Sequence, residues 1–180
     1  MAFWNVGSTE PKRQFRWTFT LGTGLAGGTI ETYFVKSVKK PSFAVGEVAH
    51  QYVGHTFYYP SRVTWNPVDV TFVDPVMPDT STILANIVAN SGYQLPTDPN
   101  EALKSISKGK FIDSVGTPTI QQIDADGEPI ETWTLKNAFV TSLDFGDLSY
   151  DSDDLVVVSM QLRYDYAELN GTSVPSALQS

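Results

Sequence analysis

A mainly β protein, an antiparallel two-sheet sandwich or barrel with one or two flanking α-helices, is what the sequence predicts, and three observations carry it. Phe15, Trp17, Phe19 and Leu21 alternate with Arg16, Thr18 and Thr20, the period-two signature of a half-buried strand. The stretch from Ile130 to Tyr166 reads as two long strands joined by an acidic turn: Leu155 to Tyr166 alternates by twos, while Asp147, Asp151, Asp153 and Asp154 crowd the connection. Helical spacing is confined to the middle of the chain, where Asp79-Thr80-Ser81-Thr82 offers capping oxygens ahead of the apolar stripe Ile83, Leu84, Ile87 and Val88, and Gly92 stops it.

The remaining elements follow in order. Residues 1–12 are polar, with Gly7 and Pro11, and are expected to form a flexible arm ahead of a single domain over 13–168; the small, polar residues 169–180 are expected to be a flexible tail. Gly22-x-Gly24-x-x-Gly27 imitates a dinucleotide fingerprint, but that motif needs a helix next. Here TIETYFVKSV follows, rich in β-branched and aromatic residues, so a glycine loop leading into a strand is expected. Ser42 to Val48 reads as a short strand, and Val63 to Phe72 as another, interrupted by Asn66-Pro67, where the missing N–H of proline demands a bulge or an edge. A second, shorter helix is expected from Asp98 to Gly109, packing Ala102, Leu103 and Ile106 inward, with strands resuming at Phe111–Val115 and Pro118–Ile123.

A chain of 180 residues has room for one core that buries roughly 70% of the surface exposed when unfolded. The absence of cysteine removes disulfides, thiol catalysis and thiolate-bound zinc. The opening MAFWNVGSTEPKRQ has no apolar run of leader length, and no stretch approaches the ~20 apolar residues that cross a bilayer, so folding in the cytoplasm, away from membranes, is expected. A net charge of −8 argues against a protein that grips phosphate backbones, though it suits a surface past which nucleic acid slides without sticking.

No motif supports catalysis. Asp124, Asp126 and Gly127 resemble the start of a calcium loop but lack its later ligands, and Pro129 sits where the loop must curl. Asp144, Asp147, Asp151, Asp153 and Asp154 suit a charged turn that keeps an edge from aggregating. His50 and His55, the only histidines, have neither a third ligand nor an orienting carboxylate in sequence. No catalytic residue, cofactor or metal is therefore assigned. One segment is chemically unusual: Tyr52, His55, Phe57, Tyr58 and Tyr59 crowd a turn-prone stretch around Gly54, more aromatic surface than one core absorbs, and they are assigned to a subunit interface. A carbohydrate-binding sandwich with Trp65 and Trp133 as a stacking platform is the alternative of another class.

Taken together, FRWTF near the start, VKKPSF, RVTWNPVDVTFVDP, a central helix and the closing LKNAFVTSLDFGDLSYDSDDLVVVSMQLRYDY resemble the tail-tube proteins of contractile-tailed bacteriophages across residues 13–168. The closing block is the most specific part, through Phe145, Gly146, Leu148, Ser149 and Tyr150 and then Arg163, Tyr164, Asp165 and Tyr166. The resemblance implies hexameric rings that stack into a hollow tube within the phage tail, assembled in the bacterial cytoplasm. Its implied partners are further copies of the chain, a contractile sheath protein, a baseplate hub, a tape-measure protein and a tail terminator, with double-stranded DNA passing through. Related inner tubes serve secretion and bacteriocin-type injection machines, which leaves such a tube, or a tube initiator of the baseplate, as the alternative. If the polar side of the last strand lines the channel, Gln161, Arg163 and Asp165 face the lumen.

Overall fold

The computed structural model describes residues 11–22, 30, 32–97, 99–100 and 103–171. The glycine loop from Gly24 to Gly28, nearly all of the expected arm and most of the expected tail lie outside them. The strands are β1 (Trp17–Thr20), β2 (Val35–Val38, entered through a 3-10 turn at Thr32–Phe34), β3 (Phe43–Tyr52), β4 (His55–Trp65) and β5 (Val68–Val73). Two helices, α1 (Thr80–Asn90) and α2 (Lys108–Val115), precede β6 (Thr119–Ile123), β7 (Pro129–Lys136), β8 (Phe139–Asp144), β9 (Val157–Arg163) and β10 (Tyr166–Gly171).

Two four-stranded sheets, in the orders β1-β6-β7-β10 and β2-β5-β9-β8, form the body, and β3 with β4 makes a separate ribbon. All pairings are antiparallel. Alternation decides which side chains meet between the sheets: Phe19, Ile120 and Leu135 from the first face Val70, Phe72, Val158, Met160 and Leu162 from the second, all buried. Phe19 and Phe72 meet edge on across the gap, their ring centroids 6.2 Å apart. Ile83, Leu84 and Ile87 of α1 join this core from the flank, as their helical spacing predicts. Asp79 caps that helix, accepting from the backbone N–H of Thr82 at 3.0 Å and from its hydroxyl at 2.6 Å.

The closing stretch is divided differently from the sequence expectation. What reads as one strand from Ile130 to Asp144 is β7 in the first sheet and β8 in the second, because Asn137, at φ 55, turns the chain from one sheet to the other. What reads as one strand from Leu155 to Tyr166 likewise ends at Arg163, and the chain returns to the first sheet as β10, with the Asp165 N–H bonded to the Lys136 carbonyl at 3.1 Å. Tyr166, which shares its alternate side of the sequence with the buried Val158, Met160, Leu162 and Tyr164, is therefore 46% exposed. β10 runs to Gly171, so the first residues of the expected tail belong to the sheet.

The second helix is displaced. Leu103 and Ile106, expected inward, are 84% and 48% exposed, and α2 occupies residues expected as strand. Ser107 takes the capping position, accepting from the Lys110 N–H at 3.3 Å, which starts the helix and drives Phe111 and Val115 into the core. Gly116 stops it at φ 69, and its backbone lies so close to Gly22 that a Cβ on Gly116 would stand 2.6 Å from the Gly22 Cα.

Candidate assembly surfaces

The ribbon is the one element whose residues are exposed along nearly its whole length on both faces. Its root is fixed to the body: Trp65 packs edge on against Phe43, with ring centroids 5.1 Å apart, and at a tilt against the buried Tyr164, at 5.9 Å, while Asn66 donates to Ser42 through its backbone at 2.8 Å and its side chain at 3.1 Å. Pro67 thus marks the change from ribbon to second sheet. Beyond the root, a bulge opposite Gly46, where Ser61 and Arg62 face one residue of β3, twists the ribbon away. Nine residue pairs at about 3.3 Å each carry the tip roughly 30 Å out.

The register divides the five sequence-assigned interface residues. Val48 pairs with Tyr59, His50 with Phe57 and Tyr52 with His55, which places Tyr52, His55, Phe57 and Tyr59 on one face. Ala49 pairs with Tyr58, so Tyr58 stands on the opposite face near Pro60. Tyr58 and Tyr59 are 65% and 57% exposed. At the tip, Val53 holds φ 54, a region that β-branched residues rarely adopt.

The three candidate lumen residues do not share one surface. Gln161 and Arg163 lie on the outer face of the second sheet, opposite Met160 and Leu162. The Gln161 amide donates to Asp69 at 2.9 Å and its carbonyl oxygen accepts from Thr141 at 3.2 Å. Asp165 instead sits at the corner between β9 and β10, accepting from Lys108 at 2.7 Å and Asn137 at 2.8 Å. The Lys108 ammonium and then the Asn137 amide hold its carboxyl below the usual range.

The outer face of the first sheet was not singled out from the sequence. Thr18 donates to Gln121 at 3.3 Å, and Thr20 and Thr119 share a 2.6 Å hydrogen bond. Thr134 lies opposite Glu168, and Thr132 opposite Asn170. Threonine at alternate positions in WTFT and TWT was the available signal, weak because threonine suits any exposed strand position.

One carboxylate ties the residues ahead of β1 and the residues ahead of the ribbon to the body. Glu131 of β7 accepts from Lys12, from Lys40 at 2.7 Å and from the Trp133 indole at 2.6 Å. Burial alone would raise its pKa, but these three donors outweigh it and draw it down to about 2. Lys12 precedes β1 and Lys40 precedes the ribbon, so the same group orients both.

Other candidate chemistry is absorbed by local structure. Trp65 and Trp133 are both half-buried against the core. Asp124 spends one oxygen on its own turn, accepting from the backbone of Asp126 at 2.8 Å and Glu128 at 2.9 Å. Among the described residues, no three His, Asp or Glu side chains gather as a metal site would need. Among them too, no helix is long and apolar enough to cross a membrane.

Residues 103–168 match the family model described as the T4-like virus tail tube protein gp19. A chain in the cryo-EM structure of the anti-feeding prophage tube terminating cap is 16% identical with a TM-score of 0.67, over 96% of this chain and all of that one (100%). A chain in the sheath-tube complex of an extracellular contractile injection system, PVC, in its extended state is 19% identical with a TM-score of 0.64, covering 96% and 99% of the two chains. One in the anti-feeding prophage baseplate is 16% identical with a TM-score of 0.65, covering 92% and 99%. What these share with the present chain is the fold. No curated protein matches the sequence.

Proposed function

We propose that this chain is the structural subunit of a phage tail tube, which closes into hexameric rings and stacks them into a conduit for the genome within a contractile sheath. The observation that carries this is the exposed aromatic ribbon on a rigid root. Roughly 30 Å of strand pair with apolar side chains on both faces has no use in an isolated molecule, and is an aggregation hazard unless another chain covers it. In a ring, head-to-tail contact closed by rotation supplies that cover.

The sheets suit the same reading. Each is antiparallel throughout and has four strands, so its two edge strands run in opposite directions. A copy joined edge to edge continues the alternation unbroken, and closure leaves no free edge. The channel wall in this reading is the face bearing Gln161 and Arg163. A second reading takes the threonine face of the first sheet, where Lys136 is paired with Glu168 at 2.9 Å.

A sheath protein, a baseplate hub, a tape-measure protein and a terminator are the partners this role entails, and it requires no catalysis. The inner tube of an injection machine with protein cargo would use the same fold and differ in its neighbours. Electron microscopy of the purified chain, alone and with its baseplate, tests the proposal: rings or tubes are expected, and monomers under every condition would refute it.

A further inference from the structure

A second unpartnered apolar surface lies on the same molecule, far along the chain from the ribbon. A cavity of about 830 Å³ opens between α1, residues 93–97 with Ile106, α2 and β8, with Ala85 and Ala89 on one wall and Leu95, Ile106 and Leu143 among the others. Leu95 is 64% exposed. The two alanines, one helical turn apart, keep the wall low enough for a bulky side chain to enter. The floor includes Thr141 and Ser142 of β8, which is the edge strand of its sheet. No described residue lining the cavity is Asp, Glu, Lys or Arg.

The ribbon has the matching property. From Val48 to Ser61 the sequence contains no Asp, Glu, Lys or Arg, although 32 of 180 residues in the chain are of those types. Copies of a chain with net charge −8 repel one another, so contacts between copies favour surfaces stripped of charge. We infer that the distal ribbon of one copy seats in the α1–α2–β8 groove of a second copy, its aromatic side chains filling the cavity. A protrusion fitted to a pocket elsewhere on an identical molecule makes a heterologous contact, which propagates around a ring or from one ring to the next. This rests on the reading of the chain as a self-assembling tube subunit, and adds to it the receiving surface.

The chain has no cysteine, so introduced thiols report without background. Copies carrying Thr56→Cys in the ribbon are mixed with copies carrying Ala85→Cys, Ala89→Cys or Ser142→Cys in the groove, assembled, and treated with a short bis-maleimide. The expected result is a crosslink joining the two kinds of copy at one or more groove positions, and none to Thr20→Cys on the outer face of the first sheet. Ala89→Asp, at an exposed site, is expected to leave the monomer's circular dichroism unchanged while raising the concentration needed for tubes roughly tenfold or more. Tubes that form with no groove crosslink, together with normal assembly of Ala89→Asp, overturn the inference and leave the tube reading standing. Normal tubes of Ala89→Asp that no longer take on a sheath would assign the groove to another protein and overturn it equally. Failure of the unaltered chain to assemble removes the tube reading and this inference together.

Discussion

The body and the ribbon are built from the same alternating residues and differ in what covers them. In β5, Val68, Val70 and Phe72 are buried to within 1% of completely, with Asp69 and Thr71 turned outward, so one polypeptide supplies both the strand and its cover. In β3 and β4, aromatic and aliphatic residues occur on both faces and almost every one is exposed. Two sheets and a helix satisfy the first arrangement within one molecule. Among the described residues nothing satisfies the second, which is why the ribbon points to assembly more directly than the better-packed part of the chain does.

Substitutions at the two regions should therefore separate folding from assembly. The largest effect is expected in the body: Phe72→Ala, at a fully buried site in edge-on contact with Phe19, should cost about 3–5 kcal/mol in urea unfolding of the monomer and abolish assembly as a consequence. Tyr59→Ser should change monomer unfolding by less than about 0.5 kcal/mol yet weaken assembly by ~2 kcal/mol, roughly a thirtyfold rise in the concentration needed for tubes. Tyr58→Ser probes the opposite face in the same way. Equal losses of folding and assembly at either tyrosine would place that ring in the monomer's own core.

Glu131 lies where the regions join, and Glu131→Gln should sharpen the comparison through pH. Because its folded-state pKa, about 2, is below the ordinary 4.5, the stabilisation is complete above about pH 5 and fades as pH falls through 4.5 towards 2. Unfolding at neutral pH should show the variant about 1–2 kcal/mol weaker, with the two proteins converging near pH 2. A difference independent of pH would mean that the carboxylate contributes by shape alone. The smallest effect is expected at the tip, where Val53→Gly removes a β-branched residue from φ 54 and should stabilise the hairpin by up to about 1 kcal/mol, seen as slower amide exchange in the ribbon.

How much of this was legible follows from the range of the interactions involved. β1 and α1 were readable because their signals are local: Phe15 to Leu21 alternates by twos, and Asp79 caps a stripe that begins four residues later. The crowding of aromatics between Tyr52 and Tyr59 was readable as surplus apolar surface. Their division between two faces was not, since it depends on the cross-strand register and on the bulge opposite Gly46. The closing block was misdivided because period-two alternation continues through Asn137 and Asp165 while the chain changes sheets, and alternation does not report which sheet a strand joins. Residues 103–115 were misassigned because Pro99 and Gly109 imitate helix boundaries, whereas Ser107 and the close approach of Gly116 to Gly22 set the actual ones. Glu131 was invisible for a related reason: its donors Lys12 and Lys40 are 119 and 91 residues away in sequence.

Hydrogen–deuterium exchange, comparing the ribbon with the body before and after assembly, tests the central claim most directly. In the monomer, amides of residues 43–65 should exchange far faster than those of β5 and β9. In the tube they should slow by orders of magnitude, while the body changes little. A ribbon protected to the same degree in monomer and tube would contradict the account, because its apolar faces would then be covered by the molecule that carries them.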